Sequence, residues 1–577
     1  MHLFHAALVS FAERREIIMN IVLGIHVGHD RGACLVKDGE VIAALAQERL
    51  DRVKHSQSMV IPFDAIDAIL EYCELDVTDI SCIGLSHVAI EGNAVVNLYK
   101  KEFYDHYKCS YVPFYFVSHH DAHAYAAFFS SGFNESLVLV SDGGGDFIDG
   151  KQESETMYIA KNGTVTKISR RLQNIAVRHM KDPINHILPF MPAYVQKLEM
   201  SLARKYSQIT HLLGFKSGEE GKTMGLASYG KPLIDYTGLS YKNLDFSLTY
   251  GDMIQEIFAL QNLSGKSFKD FMNEKAADIA STVQNYTEQA LISIIQSFLA
   301  KYPCKNLCLS GGIFLNCLTN HKILEQCDID NTFILPASGD DGQALGSAYY
   351  AYIQQYGWSR PFKISLPYLG LSYTDEEILS MINAKGLKFR KYDDYSLAKQ
   401  IAAYIQANKI VGLHRGRTEI GPRALCHRSI LANPSNPEMK DILNQRVKHR
   451  EEFRPFAPTV IAEEQFKYFD LKCSSDYMLL ATTVKEEYRA MLASITHIDN
   501  TARVQAVSQE REPFIHMLLE EVKNLTGYPI LLNTSFNVAG QPIVESPLDA
   551  LNTFLATNID ILVLGNYIIN KETMILE

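Results

Sequence analysis

Two stretches of the chain share one design: an apolar strand, a turn rich in glycine and aspartate, and two further strands joined by a tight hairpin. The first, from Ile21, reads IVLGIHVGHDRGACLVKDGEVIAALAQERL, and the second, from Leu137, reads LVLVSDGGGDFIDGKQESETMYIAKNGTVTKI. Asp38-Gly39 and Asn162-Gly163 are dipeptides that tight hairpins favour, because such turns need positive φ. The repetition predicts a duplicated fold, and two unrelated β-hairpins are the alternative.

Actin, sugar kinases and Hsp70-type ATPases are built from two such halves, and each half offers a glycine-rich turn to the phosphates of a nucleotide. We therefore predict an α/β fold with an N-terminal actin-like ATPase domain. Further along, LSGGIFLN and PASGDDG each place a polar turn between a predicted strand and a predicted helix, which is a favourable place for an anionic ligand. The Pro- and Gly-rich stretch YGWSRPFKISLPYLG predicts a domain boundary near residue 360, followed by a second α/β domain.

The composition restricts the class of protein. The length of 577 residues suits two to four domains. A net charge of -11 without a basic stripe disfavours a nucleic-acid partner. The ten scattered cysteines indicate reduced thiols in a cytoplasmic protein, and no apolar run approaches the ~20 residues of a membrane span. The regular pattern starts only at Ile21, so we expect residues 1–20 to be an extension, or Met19 to be the true start.

The segment SHHDAH holds the first candidate site. On a helix, His119 and His123 lie one turn apart on one face while His120 points elsewhere. Asp142 ends a predicted strand and Asp340 lies in the later polar loop. Two imidazoles with carboxylates suit Fe²⁺, Mn²⁺ or Zn²⁺. The alternative is a histidine pair that is merely exposed or satisfied by the protein.

A second candidate site lies in the C-terminal part, where several arginines adjoin glycine, proline or apolar residues. Convergent guanidinium groups recognise phosphates bidentately, and LLNTSFN adds hydroxyls and amides at the end of an apolar strand. Structural ion pairs with nearby acidic residues are the alternative. The candidate phosphate-binding residues of this second site are Arg415, Arg417, Arg423, Arg428, Lys448, Arg450, Arg454, Arg503, Thr534, Ser535 and Asn537.

From Ile21 onward the chain resembles the O-carbamoyltransferases of the NodU/CmcH type, a family that includes the enzyme that carbamoylates tobramycin. The motifs that carry this resemblance are SHHDAHA, SDGGGD, LSGGIFLN, PASGDDG, GRTEIGPRALCHRSILANP, VKHREEFRPFAP and LNTSFNVAGQPIVESP. The resemblance implies a Kae1-like domain of the actin-like class over residues 21–360 and a YrdC-like domain over residues 361–577. Cys426 and His427 stand where relatives often carry Gly and Asn.

The resemblance also implies a reaction. Carbamoyl phosphate and ATP would give carbamoyl-adenylate in the YrdC-like domain, and a hydroxyl of a small natural product, such as an antibiotic, would accept the carbamoyl group in the Kae1-like domain. We expect a monomer or homodimer, with no membrane partner. The alternatives are carbamoylation of a tRNA adenosine, a small-molecule kinase of the same fold, and a non-catalytic metal or nucleotide sensor.

Carried onto this sequence, the resemblance makes His119, His123, Asp142 and Asp340 ligands of an iron-type metal, with Mg²⁺ accompanying ATP. His29, beside Asp30, becomes the candidate general base; its alternative role is a hydrogen bond to the carbamoyl oxygen. Residues 235–275 match little of the family and are expected to shape the acceptor pocket. The implied adenylate-binding residues are Gly143, Gly144, Gly225, Gly311, Gly312, Asn316 and Asp341.

Overall fold

The computed structural model describes residues 20–88, 94–109, 112–173, 200–241, 244, 252–357 and 367–574. Of the predicted N-terminal extension, only residue 20 falls in these ranges. The predicted boundary after residue 360 and part of the segment 235–275 also lie outside the described residues. The extents of the extension and of the two domains therefore stay predictions.

The first predicted repeat folds into a mixed five-stranded sheet with the order β3-β2-β1-β4-β5. Strand β1 is antiparallel to β2 and parallel to β4, and β4 is parallel to β5. Asp38 and Gly39 have φ values of 51° and 88°, so the predicted Asp-Gly hairpin joins β2 to β3. The strands are β1 Ile21–His26, β2 Gly32–Lys37, β3 Glu40–Ala46, β4 Ile80–Ser86 and β5 Phe114–Val117.

The second repeat builds a sheet with the same arrangement. Its first strand, β6, is antiparallel to β8 and parallel to β10; β8 is antiparallel to β9, and β10 is parallel to β11. Because both sheets have the same strand order and directions, the predicted duplication is confirmed. The strands are β6 Glu135–Ser141, β7 Phe147–Ile148, β8 Lys151–Lys161, β9 Thr164–Gln173, β10 Asn306–Ser310 and β11 Asn331–Ile334.

Two helices between these sheets pack unusually closely and place the site. A Cβ on Gly346 would lie 1.8 Å from the carbonyl oxygen of Ala122, and one on Gly24 would lie 2.0 Å from that of Ala344. Small residues are therefore needed where the helix Gln343–Tyr356 meets the helix His119–Ser131 and strand β1. The helices of eight or more residues in this half are α1 Phe63–Tyr72, α2 Ala94–Tyr107, α3 His119–Ser131, α4 Leu202–Leu212, α5 Glu220–Ala227, α6 Asp252–Ser264, α7 Phe268–Lys301, α8 Cys317–Gln326 and α9 Gln343–Tyr356.

The C-terminal half has a mixed eight-stranded sheet with the order β12-β21-β20-β13-β14-β19-β15-β18, and β16 pairs with β17 beside it. This half is α/β as expected, and its assignment to the YrdC fold stays a prediction. Its helices of eight or more residues are α10 Asp375–Ala384, α11 Asp394–Gln406, α12 Pro513–Thr526 and α13 Pro547–Ala556. Its strands are β12 Arg390–Lys391, β13 Val411–His414, β14 Arg428–Ala432, β15 Ala457–Ile461, β16 Ala481–Thr483, β17 Thr501–Arg503, β18 Gln505–Val507, β19 Ile530–Ser535, β20 Ile561–Leu564 and β21 Tyr567–Asn570.

Two further expectations bear on the whole chain. Within the described ranges, no helix combines the length and the apolar character needed to cross a membrane. All ten cysteines lie in these ranges, and each is a free thiol.

Candidate active site

The two histidines of SHHDAH meet two aspartates at the N-terminal end of α3. Ser118 caps the helix, and the next turn places His119 and His123 on one buried face. The His119 Nε2 atom lies 3.6 Å from Asp142 Oδ2 and 3.4 Å from Asp340 Oδ1. The His123 Nε2 atom lies 3.3 Å from the same Asp340 oxygen. The four side chains, which we call the His/Asp cluster, thus converge from α3, the end of β6 and the loop before α9.

The His/Asp cluster fits a divalent transition metal ion. Among the described residues, the buried Nε2 atoms of His119 and His123 have no hydrogen-bond partner, and a buried polar atom without a partner is costly. Ligand atoms about 2.1 Å from one ion lie roughly 3 to 3.5 Å from each other, which matches the separations above. Imidazole with carboxylate is also a donor set that iron, manganese and zinc accept.

Neighbouring groups orient these ligands. The backbone N–H of Gly312 donates to Asp142 Oδ1 at 2.8 Å, which leaves Oδ2 toward the histidines. His123 Nδ1 is hydrogen-bonded to Ser310 Oγ at 3.1 Å, so its Nε2 is the free ligand atom. The glycine-rich turns after β6 and after β10 touch each other, because a Cβ on Gly311 would lie 2.1 Å from the carbonyl oxygen of Ser141. Such contacts usually set the direction of metal ligands.

The charges of the His/Asp cluster favour a cation. Burial opposes ionisation of both carboxyls, but the facing imidazoles outweigh it: the pKa of Asp142 is lowered to about 2 and that of Asp340 falls well below its usual range. Asp341 behaves differently, since burial and the nearby carboxylates of Asp30 and Glu48 raise its pKa well above 3.8. Asp340, rather than Asp341, therefore presents an ionised oxygen to the histidines.

Two buried histidines that the sequence analysis did not assign lie beside this cluster. His26 ends β1, with Nε2 4.0 Å from Asp340 Oδ2 and Nδ1 2.9 Å from Ser86 Oγ; burial lowers its pKa to about 4. A polar residue at the end of a fully apolar strand was the signal for it. His120 points away from the cluster, as predicted, and its Nδ1 is hydrogen-bonded to Thr156 Oγ1 at 2.7 Å.

The first glycine-rich turn presents His29 and Asp30. Asp30 Oδ2 accepts a hydrogen bond from His29 Nδ1 at 2.7 Å. This bond raises the pKa of His29 to about 9 against the effect of burial, so the imidazole of the free protein is protonated at neutral pH. His55 also belongs to this group, since its Nδ1 is 2.9 Å from Asp30 Oδ1. The sequence analysis missed His55 because it lies far along the chain from the turn.

The C-terminal half contains a group of cations with little negative charge beside them. Within the described part of the chain, Arg454 has an acidic partner, Glu451 at 4.0 Å, and the other members have no ion pair. Burial and the other cations of the group lower the pKa of Arg423 and Arg450 to about 9 and that of Lys448 well below 10.5. Bound anions would relieve this repulsion. The members of this cation cluster are Arg423, Lys448, Arg450, Arg454 and Arg503.

The predicted hydroxyl and amide groups adjoin the cation cluster. Lys448 ends a π-helical turn, Asn444–Lys448, and its Nζ donates to Asn537 Oδ1 at 2.9 Å and to the carbonyl oxygen of Ser535. Thr534 and Ser535 are the last two residues of β19 and are partly exposed. The structure therefore brings five predicted cations and the LLNTSFN loop to one place.

Three predicted arginines lie elsewhere, in hydrogen bonds with the protein. Arg417 donates to the carbonyl oxygens of Ile42, Leu369 and Gly370 at 2.7–2.9 Å. Arg428 is fully buried and donates only to carbonyl oxygens, and Arg415 pairs with Asp394 and Asn566. Because none of the three is among the charges that act on the five cations described above, we leave all three out of the proposed anion site.

Six of the seven predicted adenylate-binding residues fall into three places, and the seventh, Asp341, follows Asp340 in the turn before α9. Gly143 and Gly144 form the second turn, where the Gly143 carbonyl oxygen accepts from Arg204 Nε at 2.6 Å; Arg204 was not predicted. Gly311 and Gly312 face that turn, and Asn316 caps α8 by accepting from Thr319 N at 3.1 Å. Gly225 lines a pocket between the two halves of the chain. Its other lining residues include Met224, Cys317, Pro455, Phe456 and Arg503.

Comparisons with known proteins identify the family. The family model described as "Carbamoyltransferase N-terminus" matches residues 85–349, and "Carbamoyltransferase C-terminus" matches residues 402–571. The nodulation protein NolNO of Sinorhizobium fredii is 33% identical over 94% of this chain and 79% of its own length. The chain belongs to the carbamoyltransferase family. The N-terminal match includes the whole His/Asp cluster of this carbamoyltransferase, and the C-terminal match includes the whole cation cluster.

Further similar proteins match various shares of this chain. The nodulation protein NolO of Bradyrhizobium diazoefficiens is 33% identical over 79% of each chain. An uncharacterised Synechocystis protein is 32% identical over 96% of this carbamoyltransferase and 97% of its own length. Among solved structures, the HypF protein of T. kodakarensis is 15% identical, covers 59% of this chain and 48% of its own, and has a TM-score of 0.40.

Proposed function

We propose that this carbamoyltransferase forms carbamoyl-adenylate in its C-terminal half and transfers the carbamoyl group in its N-terminal half to a hydroxyl of a small-molecule acceptor. In the first stage, carbamoyl phosphate and water give carbamate and inorganic phosphate. A carbamate oxygen then attacks the α-phosphorus of ATP, and pyrophosphate leaves. In the second stage, the acceptor oxygen attacks the carbamoyl carbon, AMP leaves, and the hydroxyl proton passes to a base.

The cation cluster is the observation that carries this proposal. Carbamoyl phosphate and ATP are both anions and repel each other, so a site that joins them needs fixed positive charge in a protected place. Lys448, Arg450 and Arg503 are such groups: burial lowers the pKa of all three, and neighbouring arginines lower the pKa of Lys448 and Arg450 further. A simple kinase of the actin-like fold has no need of this second site.

The His/Asp cluster supports transfer in the N-terminal half. A bound divalent ion, Fe²⁺ first and Mn²⁺ or Zn²⁺ as alternatives, would supply Lewis acidity and positive charge for the adenylate phosphate. His29 lies on the neighbouring turn, and its pKa is influenced by Asp340 and Asp142. The pocket that contains Gly225 and Arg503 adjoins both halves, and we propose it as the adenylate passage.

The remaining parts of the proposal concern the setting of the reaction. Mg²⁺ would accompany ATP. The acceptor would be a hydroxylated natural product, and the enzyme would act in the cytoplasm as a monomer or homodimer. The net charge of -11 counts against a tRNA acceptor.

Formation of pyrophosphate tests the first stage without any acceptor. The purified protein is incubated with ATP, Mg²⁺ and carbamoyl phosphate, and the nucleotides and phosphates are separated by chromatography. We expect AMP and pyrophosphate that depend on carbamoyl phosphate, and at least about a 100-fold loss in Arg503→Met, in the range for removal of one preorganised charge-stabilising group. Arg446→Met, which removes a surface pair with Asp560, is the matched control. Release of ADP instead of AMP would identify a kinase.

The pH profile of transfer decides between two roles for His29. Its pKa of about 9 means that a general base becomes available as the pH rises, so the rate would increase toward pH 9. A hydrogen-bond donor to the carbamoyl oxygen needs the protonated ring, so the rate would decrease above pH 9. The measurement is carbamoyl transfer to a pool of hydroxylated small molecules between pH 6 and 10.

A further inference from the structure

Three side chains of the first turn and its neighbouring loop form one hydrogen-bonded group. The two carboxylate oxygens of Asp30 accept from different histidines: Oδ2 from His29 Nδ1 at 2.7 Å and Oδ1 from His55 Nδ1 at 2.9 Å. The two imidazole rings are stacked, with centroids 5.3 Å apart and planes 18° from parallel. His29 is thus held both along its edge and on its face.

The loop that carries His55 is fixed to the His29 turn through the backbone. Ser58 N donates to the Gly28 carbonyl oxygen at 3.0 Å, and Arg31 N donates to that of Ser56 at 3.4 Å. The backbone N–H of His55 donates to a Glu48 carboxylate oxygen at 2.8 Å. The position of His55 is therefore set by several contacts that do not involve His29.

Backbone strain also marks this group. Asp30 and His55 have φ values of 53° and 58°, in a region that side-chain-bearing residues rarely adopt. Such conformations are energetically unfavourable and persist where the surroundings fix them, often at functional sites. Gly218 provides room for the second ring, because a Cβ there would lie 2.7 Å from His55 Nε2.

The arrangement has a consequence for His29. Its side chain is 49% exposed, and an exposed imidazole without restraints samples several rotamers. The hydrogen bond from Nδ1 to Asp30 leaves Nε2 as the atom that can face an acceptor, as in other histidine–carboxylate pairs. We propose that His55 is a positioning residue, which acts through Asp30 and through ring stacking to hold His29 with Nε2 toward the acceptor site. The catalytic meaning of this role rests on the proposed function.

A shared metal ion is the competing explanation for these three residues, whose ligand atoms lie close together. The separations of 2.7 and 2.9 Å are those of charge-assisted hydrogen bonds. They are shorter than the roughly 3 to 3.5 Å between ligands of one ion. The geometry therefore favours a hydrogen-bonded group over a second metal site.

The test measures solvent exchange of the His29 Nδ1 proton by NMR in the full-length protein labelled with ¹⁵N-histidine. Loss of the signal in His29→Gln assigns it. We expect His55→Ala to accelerate exchange roughly tenfold, the factor that corresponds to about 1.4 kcal/mol. His55→Asn, whose amide can donate from the position of Nδ1, is expected to restore most of the protection.

The control is His106→Asn, which removes another stacked histidine and should leave the His29 signal unchanged. The ring centroids of His106 and Phe63 are 3.8 Å apart. An unaltered exchange rate in His55→Ala would overturn the proposal, as would His55→Asn behaving like His55→Ala. A further outcome is possible when Zn²⁺ is added to protein that already holds metal at the His/Asp cluster. If the signals of His29 and His55 both change at one added Zn²⁺ per protein, a second metal site replaces the proposal. Because the readout involves no carbamoyl chemistry, its failure is distinct from failure of the proposed function.

Discussion

At the scale of single residues, the candidate site depends on which atom each histidine leaves free. Ser310 engages Nδ1 of His123, and Asp30 engages Nδ1 of His29. Both rings therefore present Nε2, one to the His/Asp cluster and one to the half-exposed turn. The hydrogen-bond partner thus decides which ring nitrogen is available, for metal binding in His123 and for proton transfer or hydrogen bonding in His29.

Removal of one ligand should abolish stable metal binding. We expect His123→Ala to lower metal affinity by at least about 100-fold, since even groups that only orient ligands contribute 10- to 100-fold. Metal content after gel filtration, measured by elemental analysis, checks this. His120→Gln is the matched control, because His120 lies on the same helix and faces Thr156 instead. Equal metal content in His123→Ala and the wild type would contradict the assignment of the cluster.

Stability in acid should depend on His414. Burial and nearby Arg428 lower its pKa well below 6.5, so the unfolded chain binds a proton there that the folded chain does not. Its stabilising contribution is complete above pH 6.5 and decreases below it by up to about 1.4 kcal/mol per pH unit. The measurement is urea unfolding at pH 7.5 and 5.5. His414→Gln should lose less stability over this interval than the wild type, and an identical loss would refute the expectation.

At the scale of elements, the glycine-rich turn after β6 and the one after β10 pack directly against each other. Gly311 has a φ of 109°, and a Cβ there would meet the Ser141 carbonyl oxygen at 2.1 Å. Any side chain at Gly311 would push β6 and the turn after β10 apart, and Asp142 would move with them. The SGG motif is thus a packing requirement as well as a feature of a ligand loop.

This contact predicts a large difference between two glycine substitutions. Gly311→Ala should destabilise the protein by at least about 3 kcal/mol, because overpacking adds to the cost of positive φ. Gly150→Ala should cost only about 1 kcal/mol, since its φ is 74° but nothing lies within 4 Å of the added Cβ. Urea denaturation of both variants checks this, and similar losses would show that φ alone decides the cost.

Local signals explain which elements were predictable. The Asp38-Gly39 and Asn162-Gly163 hairpins and the helix from His119 each depend on neighbouring residues. The contacts of His55 depend on residues that are distant in sequence. So does the division of the arginines between the cation cluster and hydrogen bonds with protein acceptors. Cys426 is intermediate: its φ of 82° lies in the region that favours glycine, which the sequence of this chain alone does not show.

At the scale of the whole molecule, arginines join the two halves through backbone carbonyls. Arg52 donates to the carbonyl oxygens of Pro542 and Ile543 at 3.0 and 2.6 Å, and Arg49 donates to that of Gly421 at 2.8 Å. In the opposite direction, Arg423 of the cation cluster donates to the Leu315 carbonyl oxygen at 2.9 Å. The relative position of the two sites therefore rests on directed hydrogen bonds as well as on apolar packing.

Substitution of Arg417 tests whether this residue has a structural role or a nucleotide-binding role. Its guanidinium joins Ile42 of the first sheet to Leu369 and Gly370 and stacks over Tyr72. Arg417→Lys keeps the charge but loses the planar fork. We expect a loss of about 2 kcal/mol in stability, because hydrogen bonds to charged groups contribute about 1.5 to 3 kcal/mol each, and less than a twofold change in the KM for ATP. Urea unfolding and pyrophosphate release measure the two effects. A large rise in KM with stability retained would return Arg417 to the phosphate site, whereas the reverse result establishes it as a connection between the halves.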